Sequence, residues 1–215
     1  MKRETKWIMA VCMLAAFGVW TAAVCLVDVR AIGPMESSVG LAGINGFFHR
    51  FTGAHMVLYT ITDWLGLVPF AVAAGFALLG LRQWILRKKL QAVDYDLRLL
   101  GVFYLAVIAA YAFFEEVVVN YRPVLIDGAL EASYPSSTTL LVLCVMSTAM
   151  MQLRHRIRNR LCSRVAETMM GLFTAFMVVS RLISGVHWMT DIIGGVLLST
   201  GLVLLYDAAV QHKCK

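Results

Sequence analysis

Six stretches of this chain stay apolar for long enough, or nearly so, to cross a lipid bilayer, and that restricts the fold before any motif is considered. They run over residues 7–27, 64–85, 97–119, 138–153, 165–182 and 192–209. About 20 apolar residues in a helix cross the hydrocarbon core, and the fourth stretch falls a little short of that. No period-two alternation runs through them, so barrel strands are not indicated. In hydrocarbon every backbone N–H and C=O needs a partner inside the protein, and a helix supplies all of them within itself. The expected fold is therefore all-α: a polytopic bundle of six transmembrane helices. We read residues 1–215 as a single integral-membrane domain, with its core at about 64–209 and a first helix and outer loop over 7–63. Composition agrees. Apolar residues make up 60% of the chain, charged residues 15%, and mean hydropathy is +0.76. Soluble domains have roughly half and a quarter, so an ordinary soluble domain, a disordered chain and a disulfide-stapled secreted module are all excluded.

The first apolar stretch follows Lys2, Arg3 and Lys6, which invites comparison with a signal peptide. It is longer than the 7–15 residues of a signal core and ends without a small-x-small cleavage site, so a retained anchor is expected. Basic residues set the orientation. Lys2, Arg3 and Lys6 precede the first span. Arg82, Arg87, Lys88, Lys89 and Arg98 flank the connection after the second. Arg154, Arg156, Arg158, Arg160 and Arg164 fill the connection after the fourth, and Lys213 and Lys215 close the chain. With six spans all of these fall on one side, leaving only Arg30, Arg50, Arg122 and Arg181 of the 19 basic residues on the other. The positive-inside rule then puts both termini in the cytoplasm. The net charge of +6 thus needs no nucleic-acid partner. It suits topology first and anionic lipid headgroups second. A bacterial plasma membrane is the expected location, and the oligomeric state stays open.

The outer side has one long connection, residues 28–63. Within it Ile44, Phe47, Phe48 and Phe51 recur at the spacing of one helical face, with Asn45, His49 and Arg50 elsewhere on the circumference. Such a helix would lie in the outer headgroup layer, either capping the bundle or gating lipid access. The cysteines, Cys12, Cys25, Cys144, Cys162 and Cys214, avoid the outer loops and form no CxxC, which argues against a disulfide framework or a zinc site.

Two polar clusters sit where the outer membrane face is expected. One runs through Glu115, Glu116, Asn120, Tyr121, Arg122, Pro123, Asp127 and Glu131 to Tyr134-Pro135-Ser136-Ser137-Thr138-Thr139. The other is Ser180-Arg181, continuing through Ser184, His187 and Thr190 to Asp191. Ionisable groups at membrane depth are costly and point to function. Arginine offers a forked cation that matches phosphate oxygens. Pro135 suits a helix start, leaving the Ser136, Ser137 and Thr138 amides at its positive end as an anion site. His187 and Asp191 are four apart and would share a helix face. A carboxylate there can hold one imidazole nitrogen as N–H and leave the other free to attack. Each piece alone has an ordinary reading: a snorkelling arginine, a hydrogen-bonded core histidine, a capped helix. Together they describe phosphoryl transfer, where positioning and charge neutralisation do most of the catalysis.

The pattern Ser180-Arg181, five residues, His187, three residues, Asp191 resembles the third signature, SRxxxxxHxxxD, of the type-2 phosphatidic acid phosphatases and the related vanadium haloperoxidases. Arg122-Pro123 is similar to the end of the first signature, KxxxxxxRP, and Pro135-Ser136 to the start of the second, PSGH. The resemblance covers the chain from about residue 64 onward. It implies a helical-bundle core and hydrolysis of a lipid phosphate or diphosphate, of the phosphatidate or polyprenyl pyrophosphate class, through a phosphohistidine and with neither metal nor cofactor. By the same resemblance His187 is the nucleophile and Asp191 its orienting partner, while Arg122, Arg181, Ser136 and the Ser137 amide hold the phosphate.

Two positions depart from the pattern. Glu115 stands where the first signature has lysine, and Thr138 where the second has the histidine that protonates the leaving group. A threonine hydroxyl is no acid near neutral pH. General acid help is worth about 10²–10⁴-fold, and a phosphate leaving group needs it less than an alkoxide does. Lipid diphosphates are therefore the expected better substrates, unless Glu116, Asp127, Glu131, His49 or His55 stands in as the acid. The departures leave a second reading open, a protein of the same fold that binds a lipid phosphate or acts as a scaffold without turnover. A transporter is disfavoured, since neither broken midplane helices nor an inverted repeat is visible.

Overall fold

The structure, a computed structural model, describes residues 2–211 and is helical almost throughout. Lys213, Cys214 and Lys215 lie outside the described residues. The helices are α1 (Arg3–Leu26), α2 (Ala42–Thr52), α3 (Met56–Leu65), α4 (Leu67–Arg87), α5 (Tyr95–Glu116), α6 (Ser137–Arg156), α7 (Arg160–Ile183) and α8 (Met189–Val210). Between α1 and α2, strands β1 (Arg30–Ala31) and β2 (Ser38–Val39) pair antiparallel, with Arg30 opposite Val39. Six runs are long and apolar enough to cross a membrane: α1, α3 with α4 as one run over Met56–Arg87, α5, α6, α7 and α8. The six-span, all-α expectation is met, and the chain is an integral membrane protein.

Burial ranks the helices. Half of the apolar window of α6 and 44% of that of α8 are buried inside the protein, against 6% for the α3–α4 run. The centre of the bundle is therefore α6 and α8. Leu140 and Cys144 of α6 meet Leu198 and Tyr206 of α8 and Leu97, Leu100, Phe103 and Val107 of α5. The outer helices turn Ile8, Val19, Leu105 and Leu172 outward, as lipid-facing surfaces do. Helix α1 lies close along α8: a Cβ on Gly201 would come within 2.7 Å of Leu14. At the end where α1 begins and α8 finishes, the buried Lys6 forms an ion pair with the half-buried Asp207. Arg156 pairs with Asp96 at 2.9 Å and Arg87 with Asp94 at 2.9 Å around the same end, where the basic connections gather. The polar clusters occupy the opposite end.

Some boundaries move. Helix α7 starts five residues before the stretch read from hydropathy, and α5 ends at Glu116, so 117–119 belong to the following loop. The stripe Ile44, Phe47, Phe48, Phe51 does form a helix, α2, with Phe47 and Phe51 exposed. The main difference is α3. Residues 56–63, read as loop, form a helix that joins α4 through Gly66. Its apolar residues are interleaved with Thr60, Thr62 and Asp63, which lowers hydropathy. Thr60 and Thr62 satisfy their hydroxyls on the carbonyls of the preceding turn, so the helix tolerates them.

The loop from α5 to α6 folds back on itself. The Arg122 amide donates to the Glu131 carbonyl at 3.0 Å and the Ser133 amide to the Asn120 carbonyl at 2.9 Å. The chain reverses at Asp127 and Gly128, both with positive φ. This return brings Arg122 and Ser133 to one place although eleven positions separate them.

Candidate active site

His187 sits in the loop between α7 and α8, and two backbone features fix that loop. Gly185 has φ +66°, and a Cβ there would lie 1.8 Å from the Gly53 carbonyl oxygen, so only glycine permits this approach. The His55 amide donates to the Ser184 carbonyl at 2.8 Å. Trp188 then caps α8: the Asp191 carboxylate accepts from the Trp188 amide at 2.9 Å, and the Trp188 indole donates to the Tyr121 carbonyl at 2.7 Å. His187 and Asp191 thus do not share a helix face as expected. The imidazole stands one residue before the cap of α8 and the carboxylate in its first turn, and the cap brings them together.

Asp191 is fully buried. Besides the Trp188 amide it accepts from Asn120 Nδ2 at 3.4 Å, from Thr190 Oγ1 at 3.4 Å and, closely, from Ser133 Oγ. A buried carboxylate with this many donors is held in place. His187 Nδ1 lies 3.8 Å from Asp191 Oδ2 but 3.2 Å from the Ser133 carbonyl oxygen. A carbonyl can only accept, so Nδ1 carries the proton and Nε2 keeps its lone pair, which faces Arg122. Burial lowers the His187 pKa to about 4. Arg122 and Arg181 push the same way, against Asp191. The imidazole is therefore neutral at physiological pH, as a nucleophile must be.

The arginines stand on either side. Arg122 Nη1 is 3.4 Å from His187 Nε2, and its Nε is 3.0 Å from a Glu131 carboxylate oxygen without the geometry of a hydrogen bond. Arg181 is 2% exposed. Its Nη2 donates to Thr138 Oγ1 at 2.6 Å and to Asp63 Oδ1 at 3.2 Å, while its Nε and Nη1 have no partner. The Tyr59 ring lies against both cations, 4.9 Å from the Arg181 guanidinium and 5.9 Å from that of Arg122. An aromatic face so placed eases the approach of two like charges.

The Ser136 hydroxyl is fully buried and accepts from the Thr139 amide as the cap of α6. The hydroxyl thus builds the helix start while its own O–H proton stays available to donate. The Ser137 and Thr138 amides, in the first turn, have no intrahelical acceptor. Of the stand-in acids, Glu116 and Asp127 are exposed and form no ion pair or hydrogen bond among the described residues. Glu131 is held by Arg122. The His55 ring bonds the Thr52 carbonyl at 2.8 Å. His49 meets the Trp188 ring edge-on, with centroids 5.4 Å apart, and burial lowers its pKa. Glu115 is exposed at its rim yet lines, with His187 and Ser137, a small cavity of about 10 Å³.

Sequence reasoning missed Ser133, Tyr59 and Asp63. Nothing local marks Ser133. Asp63 carried a signal, an ionisable residue inside an apolar run, and Tyr59 stands one helical turn before it. A larger cavity of about 310 Å³ opens between α4, α5 and the start of α6, lined by Asp63, Leu67, Phe70, Val107, Ile108 and Thr138. It is mostly apolar and reaches the Arg181 side of the site.

Fold and site together define a polytopic helical membrane protein in which two arginines flank a buried histidine. The model of the PAP2 superfamily matches residues 70–213, and the chain belongs to that superfamily. Its fold is similar to the crystal structure of a transmembrane PAP2-type phosphatidylglycerolphosphate phosphatase from Bacillus subtilis, with a TM-score of 0.58 and 18% identity over 96% of this chain and 97% of that one. No curated protein matches the chain.

Proposed function

We propose that the protein is a membrane lipid phosphatase that hydrolyses a lipid phosphate or diphosphate through a phosphohistidine on His187, at the outer membrane face. The observation that carries this reading is Arg181. A buried guanidinium with two unpartnered donors is costly, and an anion is what relieves it. The unprotonated His187 Nε2 is 3.4 Å from Arg122, so a phosphate that draws both arginines onto its oxygens would present its phosphorus to a neutral nucleophile. Asp191 and Ser133 keep the proton on Nδ1, and the imidazolium that develops on phosphorylation would be stabilised by Asp191. The Ser137 and Thr138 amides at the start of α6 add dipoles for the phosphate oxygens. The bundle over 1–215 acts as one domain, and the gathering of basic residues at the far end supports an outward-facing site.

Phosphate release from purified protein, measured over a panel of lipid monophosphates and diphosphates, tests the reading. Turnover that His187→Ala abolishes supports it. Binding of these lipids without turnover would instead establish the binder or scaffold reading, which Glu115 and Thr138 favour.

A further inference from the structure

We propose that a groove between α4 and α7, away from the candidate active site, binds a phospholipid with an anionic headgroup, drawn from the leaflet at the basic end of the bundle. This lipid is not a substrate, and its site exists whether or not the protein turns over a lipid phosphate.

Helix α6 packs against both α4 and α7. Over α6, between those two, runs an open cavity of about 570 Å³, walled by Val72 and Leu79 of α4, Met146 and Leu153 of α6, and Met170 and Phe173 of α7. It shares no lining residue with the cavity that reaches Arg181. Gly75 helps to keep it open, since a Cβ there would meet no atom within 4 Å. From Met146 to Arg156 the groove follows α6 for about 15 Å, at about 1.5 Å per residue. That is half of a hydrocarbon core about 30 Å thick, the depth that the acyl chains of one leaflet fill.

Charge selects the occupant. Among the described residues that line the groove only Arg156 is charged, at the end where α6 finishes. Asp96 holds it at 2.9 Å, so Arg156 alone does not call for an anion. Arg82 and Arg158 do. Arg82 follows Leu79 by one helical turn on α4 and continues that wall toward the same end. Arg158 stands in the connection from α6 to α7, just past Arg156. Both are exposed, and among the described residues neither forms an ion pair or a hydrogen bond. The carboxylates of the neighbouring elements are already taken: Asp94 by Arg87, Asp96 by Arg156 and Glu167 by Arg154. An apolar slot one leaflet deep, with unpaired arginines at its mouth, fits an acyl chain that ends in an anionic head. A second copy of the chain fits less well. Two copies with one orientation in the membrane would bring their basic ends to the same level, like charge against like.

Native mass spectrometry of the full chain, released from neutral detergent and titrated with phosphatidylglycerol or with phosphatidylcholine of the same acyl chains, tests the site. Wild type should retain one phosphatidylglycerol and hold it roughly 25-fold more tightly than phosphatidylcholine, about fivefold for each free arginine. Arg82→Gln with Arg158→Gln should abolish that preference and leave phosphatidylcholine binding as it was. Gly75→Phe should weaken both lipids, because its ring would enter the groove. It also replaces a poor helix residue with a better one, so its thermal midpoint without lipid should not fall. The double arginine variant changes only exposed side chains and tests the charge requirement separately from the groove. Equal retention of the two lipids by wild type, or undiminished phosphatidylglycerol binding in Gly75→Phe, would overturn the proposal. Displacement of the bound lipid by inorganic phosphate would overturn it too, by placing the headgroup at Arg122 and Arg181. A dimer that Gly75→Phe dissociates would overturn it in favour of a second copy in the groove.

Discussion

His187 Nδ1 lies 3.2 Å from the backbone carbonyl of Ser133 and 3.8 Å from the Asp191 carboxylate. The histidine is therefore oriented by two groups, and the nearer one belongs to the backbone. Ser133 Oγ stands between them, donating to Asp191 and 3.4 Å from Nδ1.

This arrangement separates two variants. Asp191→Asn keeps the shape but removes the charge that stabilises the imidazolium and disturbs the tautomer, and should lower kcat by about 10⁴-fold, as in a serine-protease triad. Ser133→Ala removes a hydroxyl and leaves the carbonyl acceptor in place, so its loss should be far smaller. Steady-state kinetics on the best lipid of the panel checks both. Equal losses would mean that the hydroxyl, and not the carbonyl, sets the tautomer.

The pH dependence follows from the buried imidazole. Its folded-state pKa is lowered to about 4, chiefly by burial. The nucleophile is neutral above that value, and activity is lost as pH falls through it. The acid limb of kcat/KM on a lipid diphosphate should therefore lie near pH 4. Arg122→Gln removes a cation that lowers this pKa, and in its residual activity the limb should move upward. A wild-type limb near the ordinary histidine value of about 6.5 would contradict the burial seen here.

Gly185 supplies a stability test. At φ +66° an alanine pays roughly 1–2 kcal/mol for the left-handed backbone alone, and its Cβ would also meet the Gly53 carbonyl at 1.8 Å. Gly185→Ala should lower the thermal midpoint in detergent and, by moving His187, lower activity. An unchanged midpoint would show that the contact between Gly53 and Gly185 is not kept in solution.

The sequence made the spans legible because hydropathy is a property of single segments. His187, Asp191, Arg122 and Arg181 were legible because their spacing carries the chemistry. What stayed hidden depends on long-range folding. Thr60, Thr62 and Asp63 dilute the apolar residues of α3, so hydropathy does not mark it as part of a span. Asp63 meets Arg181 and Ser133 meets His187 only once α3, the returning loop and α7 have packed. The four-residue spacing of His187 and Asp191 suggests a shared helix face, whereas it is the cap of α8 that brings them together.

Orientation can be read with single cysteines on a cysteine-free background. A cysteine at position 127 should react with an impermeant reagent added outside intact cells, and one at position 158 only after permeabilisation. The reverse pattern would invert the topology inferred from the basic residues.

A phosphohistidine mechanism requires a covalent intermediate on His187. Rapid quench of the enzyme with a lipid substrate labelled with ³²P in the transferred phosphate should trap protein-bound label that is acid-labile and base-stable, as a phosphohistidine is, and peptide mapping should place it on His187. His187→Ala, quenched in parallel, should trap no label and turn over no substrate. Label on another residue, or turnover that survives His187→Ala, would contradict the mechanism.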